Sequence, residues 1–84
     1  MYQVEFTATA QKDILSFRNE IQERLELSIE NLEIQPRPSG CKKLKGRNNT
    51  WRVRVGDYRI FYGINDSLKV VIIYRIRHRK EVYQ

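Results

Sequence analysis

The chain has 84 residues, 40% of them hydrophobic and 31% charged, which fits one small folded domain over residues 1–84 and excludes a second core. Its formal net charge of +6 is unevenly placed: from Pro36 onward thirteen Lys or Arg stand against three acidic residues, whereas the residues before it carry three against seven. The single cysteine, Cys41, excludes an internal disulfide, and no apolar run is long enough to span a membrane, so a cytoplasmic protein with a polyanionic partner is expected.

Tyr2, Val4 and Phe6 alternate with polar residues and predict a short first strand. Thr7 or Thr9 is placed to cap a helix. Ile14, Phe17, Ile21, Leu25, Ile29 and Leu32 then recur at spacings of three and four, one helical face that Asn19 divides into a shorter and a longer helix. Pro36-Arg37-Pro38-Ser39-Gly40 ends the helical region, because proline cannot continue a helix. A basic loop with Lys42, Lys43, Lys45 and Arg47 follows. Residues 51–55 and 58–64 flank Gly56-Asp57, the pattern of a two-residue hairpin with glycine at the first central position. Asn65 to Leu68 form the next turn, and residues 70–76 are an apolar, β-branched strand. The order βααβββ predicts an α+β fold: an antiparallel sheet, made of the N-terminal strand and three C-terminal strands, packed on a helical hairpin.

The hairpin turn dictates which side chains share a face. It sets Val55 opposite Tyr58, Arg54 opposite Arg59, Val53 opposite Ile60, Arg52 opposite Phe61 and Trp51 opposite Tyr62. The apolar face is left to the helices, and the other face holds Arg52, Arg54, Arg59 and Phe61. Pairing Ile64 with Val70 would add Arg75 beside Arg59, although residues 70–73 are apolar on both sides and do not select a register. Directly opposed like charges destabilise a sheet, so this face calls for an anion, and nucleic acid is the first candidate. Phe61 offers either a ring on which a base stacks or an ordinary hydrophobic contact.

No cluster of His, Cys and carboxylates has metal-ligand spacing and no glycine-rich phosphate loop is present, so neither metal nor cofactor is expected. A metal-free reaction suited to these residues is RNA scission by attack of the 2′-hydroxyl on its own phosphate. The protein need only align the attack, neutralise charge on the phosphate and move two protons. Arginine suits the second task and, being always protonated, fails at the third. His78, the chain's single histidine, is best matched to proton transfer. Tyr83 could orient it, stack on a base or share the transfer, and Lys43 and Lys45 could act likewise if neighbouring cations lower their pKa.

The stretches from Pro36 to Gly46, from Trp51 to Ile60 and from His78 to Tyr83 together resemble the RelE/ParE toxin superfamily of toxin–antitoxin systems, in the right order along essentially the whole chain. The resemblance implies a compact α+β fold. For the RelE branch it also implies ribosome-dependent, metal-independent cleavage of mRNA that leaves a 2′,3′-cyclic phosphate, and neutralisation by an antitoxin. Carried over by position, Arg59, Arg79, His78 and Tyr83 match the family's catalytic positions, and Lys43, Lys45, Arg52 and Arg54 its RNA-facing basic ones. Phe61 and Arg75 join the RNA-binding set from the strand geometry. Arginines at 52 and 54, where relatives often have lysine, shift any base role toward His78. Two other readings share this fold: a ParE-like inhibitor of DNA gyrase, and a non-catalytic nucleic-acid-binding relative. Expected partners are an acidic antitoxin in a hetero-oligomer, the ribosome and mRNA.

Overall fold

The computed structural model describes residues 1–82. The chain runs β1 (Gln3–Phe6), α1 (Ala8–Leu15), α2 (Asn19–Ile34), β2 (Lys42–Lys43), β3 (Trp51–Val55), β4 (Tyr58–Asn65), β5 (Val70–His78) and α3 (Arg79–Val82). The five strands form one sheet in the order β1-β5-β4-β3-β2. The expected order βααβββ holds, with the two-residue β2 added at one edge and the short α3 at the end. The expected all-antiparallel sheet does not: β1 pairs parallel to β5, from Gln3 with Val70 to Phe6 with Ile73, so the sheet is mixed. Nothing in the alternation of Tyr2, Val4 and Phe6 encodes strand direction, because both pairings bury the same side of a pleat.

Thr7 starts α1. Its hydroxyl oxygen accepts from the Ala10 amide at 3.1 Å and its proton goes to the Tyr74 carbonyl at 3.0 Å. One side chain thus caps the helix and ties it to β5. Helix α2 begins at Arg18 without a side-chain cap. Its apolar stripe supplies what the cap does not: Leu25, Ile29 and Leu32 are buried against Ala10 and Ile14 of α1 and against Val53, Ile60, Tyr62, Val71, Ile73 and Ile76 of the sheet. Phe17 and Ile21 pack at its margin. Buried Tyr62 donates to the Pro36 carbonyl at 2.7 Å, anchoring the chain as it leaves α2. Burial pushes its hydroxyl above the usual phenol range and keeps it a donor.

The β3–β4 register is the expected one, with Gly56 at φ 59° in the turn. The β4–β5 register differs from the Ile64–Val70 pairing. Ile64 opposes Val71 and Asn65 opposes Val70, and a one-residue bulge in β5 shifts the ladder so that Phe61 opposes Arg75 and Arg59 opposes Arg77. The core decides it: Val71, Ile73 and Ile76 are all buried, and two residues rather than one separate the last pair. Only a bulge lets both isoleucines reach the same side.

Outside the core, the Tyr2 hydroxyl donates to Asp66 at 2.6 Å and Arg37 grips the same carboxylate at 2.9 Å. The Arg37 bond, followed by that of Tyr2, lowers the Asp66 pKa from 3.8 to about 2. A carboxylate depressed by folding adds stability above its ordinary pKa and loses it as the pH falls through the folded value. Asp66→Asn is therefore expected to lower the melting temperature at neutral pH and to match the wild type only once the pH falls below the folded value of about 2. Thermal melts across that range measure the difference, and a gap independent of pH contradicts it.

Candidate functional site

The helices cover one face of the sheet. On the other, the strand registers align two rows of side chains across β3, β4 and β5: Arg52, Phe61 and Arg75, and beside them Arg54, Arg59 and Arg77. A cavity of about 650 Å³ opens between them. Arg52, Arg59, Phe61, Arg75 and Arg77 line it, with Leu44 and Arg47 from the β2–β3 loop, Tyr74 from the bulge and Glu81 from α3.

Arg59 lines it from β4, the middle strand of the sheet, and is only 5% exposed. Its Nε is buried without a hydrogen-bond partner among the described residues. The outer guanidinium groups are held by carboxylates. Asp13 of α1 takes Arg75 Nε at 3.0 Å and Nη2 at 3.3 Å. The same carboxylate accepts from the Ile76 amide at 2.9 Å, standing in for the β1 strand, which has already ended at Phe6. Arg77 donates to Glu81 at 3.3 Å. Two acids thus neutralise the flanks, and among the described residues no acid pairs with Arg59. Burying a cation without a counter-charge costs several kcal/mol, roughly, unless an anion restores it. A cavity lined in this way is chemically suited to an anion, and planar guanidinium groups suit a phosphate.

The expected site residues divide into three groups. Arg52, Arg59, Phe61 and Arg75 share the cavity. Arg75 reaches it opposite Phe61 instead of beside Arg59. Arg54 is exposed and borders a neighbouring shallow depression with Lys42. Lys43 and Lys45 line a second depression, joined to the cavity through Arg47, which borders both. Lys43 opposes Trp51 and its Nζ lies 6.0 Å from that ring.

His78 lies elsewhere. It opposes Tyr58, on the side of the sheet that faces the helices, with its ring edge-on to Tyr58 at 5.1 Å, and Tyr58 in turn packs on Phe17 at 4.9 Å. Its Nδ1 accepts from the Lys80 amide at 3.2 Å. The expected convergence of the imidazole with the arginines is thus not the arrangement found: strand alternation sends Arg77 and His78 to opposite faces. Arg79 is exposed beside the hairpin turn, where its amide donates to the Asp57 carbonyl at 2.7 Å and its Nε lies 3.8 Å from the Asp57 carboxylate. Tyr83 lies outside the described residues.

Arg77, Tyr74, Arg47 and Glu81 line the cavity without having been singled out from the sequence. For Arg77 the signal was available, since it stands two residues beyond Arg75 in an extended strand. For Tyr74 it was the three-residue step from Ile73 to Ile76.

The family model for the ParE toxin of type II toxin–antitoxin systems (parDE) matches residues 4–83. Toxin RelE3 of Methanocaldococcus jannaschii is 36% identical over 84 residues, covering 95% of this chain and 93% of the relative. The archaeal RelE–RelB complex from Pyrococcus horikoshii OT3 aligns with a TM-score of 0.81 at 29% identity, over 93% of this chain and 94% of that one. The toxin–antitoxin complex RelBE2 of Mycobacterium tuberculosis also gives a TM-score of 0.81, at 32% identity over 93% and 98% of the two chains. A match running almost from end to end, in both sequence and fold, places this chain in the RelE/ParE toxin superfamily.

Proposed function

We propose that this toxin of a RelBE-type system cleaves mRNA on the ribosome, by attack of a 2′-hydroxyl on the adjacent phosphate. The observation that supports the reading best is buried Arg59, its Nε without a partner among the described residues, in the wall of a guanidinium-lined cavity. Arg59 would bind the scissile phosphate, with Arg52, Arg75 and Arg77 around it, where donors fixed before the reaction stabilise charge that grows during it. The 2′-oxygen loses its proton and forms a bond to phosphorus. The P–O5′ bond breaks, and the leaving oxygen takes a proton, giving a 2′,3′-cyclic phosphate and a 5′-hydroxyl end.

The first proton needs an acceptor that no guanidinium can be. Glu81 is already on the cavity wall, beside Arg77. His78, the last residue of β5, would serve only if that end of the strand turned over, and Arg79 would join it by the same movement. Lys43 and Lys45, in the adjoining depression, suit the RNA backbone on either side of the cut.

The antitoxin of this reading carries acidic residues for the arginine face and an apolar helix for the exposed Leu15, Leu27 and Ile34 of the helical layer. The solved relatives described above are complexes with RelB or a RelB-type antitoxin, which supports such a partner.

The name of the matching family keeps gyrase inhibition as the second reading. Adding the purified toxin to a translating extract and mapping mRNA 5′ ends separates the two. Discrete cuts within translated codons, with cyclic phosphate termini, are expected. Intact message beside trapped, cleaved DNA in a supercoiling assay would overturn the proposal.

A further inference from the structure

We infer that Tyr74 is a base-contacting residue of this site, its ring the surface on which a nucleobase next to the bound phosphate stacks. The inference rests on the reading of the cavity as an RNA site. Four observations on Tyr74 support it. The bulge in β5 lets Tyr74 and Arg75 both line the cavity, where regular alternation would have sent them to opposite faces. That bulge is pinned from outside the sheet, because Thr7 donates to the Tyr74 carbonyl at 3.0 Å and its amide donates to the Ile73 carbonyl at 3.0 Å. The ring occupies space that only glycine leaves open: a side-chain carbon at position 63 would lie 2.8 Å from the hydroxyl-bearing ring carbon of Tyr74 and 3.0 Å from the Asn49 carbonyl oxygen. Finally, the phenol makes no hydrogen bond to any described residue and its oxygen is seated against Gly63, so the ring is held by its backbone and by shape.

The composition of the cavity explains why a base is the fitting occupant. Its wall is cationic apart from Leu44, Phe61, Tyr74 and one carboxylate. Guanidinium groups take phosphate, whereas a flat aromatic face in a cationic site takes the π-face of a base, and stacking tolerates any base. The two kinds of wall match the two ends of a nucleotide.

The test uses ribosomes programmed with a message that is 2′-O-methylated across the A-site codon, which blocks the nucleophile, and measures toxin affinity. Tyr74→Leu is expected to bind roughly tenfold more weakly, while Tyr74→Phe, which keeps the ring, stays within about twofold of wild type. A second message carries an abasic residue next to the methylated position. The wild-type toxin should bind it about tenfold more weakly, and Tyr74→Leu should lose nothing further. Equal affinity of Tyr74→Leu and wild type for the intact message, or an undiminished Tyr74→Leu effect on the abasic one, overturns the inference. If Arg59→Met loses affinity in the same assay while those results stand, the RNA site survives and only the role of Tyr74 falls. If wild type fails to bind any programmed ribosome, both fall.

Discussion

Arg59→Met is expected to abolish cleavage, by about 10²–10³-fold in rate, without loss of stability. The two halves of this outcome have one cause. Arg59 is 5% exposed and its Nε has no partner among the described residues, so folding desolvates a charge and none of those residues returns an ion pair for it. Methionine keeps the unbranched stem and removes the charge, the kind of exchange that leaves proteins equally or more stable when a buried charge is poorly compensated. The same charge becomes useful once a phosphate arrives, since a fixed donor in a site partly closed to water acts at full strength on the developing charge. Arg59→Lys keeps the charge and loses the planar fork, and should retain partial activity. Single-turnover cleavage on programmed ribosomes and thermal melts of the same samples provide both readouts. A variant that cleaves at the wild-type rate would remove Arg59 from the reaction, and one that melts well below wild type would show that the guanidinium has a structural partner.

Leu25→Ala is expected to cost about 3 kcal/mol, which lowers the melting temperature of so small a domain by roughly 10–20 °C. Leu25 is fully buried at the middle of α2, a helix whose first turn has no side-chain cap and which therefore depends on its apolar stripe. Its side chain lies in the layer shared by α1 and the strands, where removed methyl groups leave a cavity that the surrounding sheet cannot close. Leu27, two residues on, is 66% exposed, and Leu27→Ala in the free toxin should change stability by less than about 0.5 kcal/mol. Paired melts of the two variants test the assignment of faces. Similar losses for both would mean that α2 is rotated relative to this packing.

Much of the architecture is local in origin and was legible without coordinates. The three- and four-residue spacing from Ile14 to Leu32 specified a helical layer, and Asn19 stands at the first position of the second helix. Gly56-Asp57 specified the β3–β4 register, and with it the face that carries Arg52, Arg59 and Phe61. These features involve neighbours in sequence, so a periodicity or a turn type is enough to determine them. Three others needed partners distant in sequence. The parallel pairing of β1 with β5 depends on how the helices return the chain, and neither strand's pattern records it. The bulge at Tyr74 is a compromise between burying Ile73 and burying Ile76, held by Thr7 some sixty-seven residues away. Once the bulge has set the pleat, alternation puts Arg77 in the cavity and His78 on the other side. Charge and residue type led to the expectation of a polyanionic partner; which side chains line the cavity was decided by the pleat of the folded sheet, because a shift of one residue exchanges its two faces.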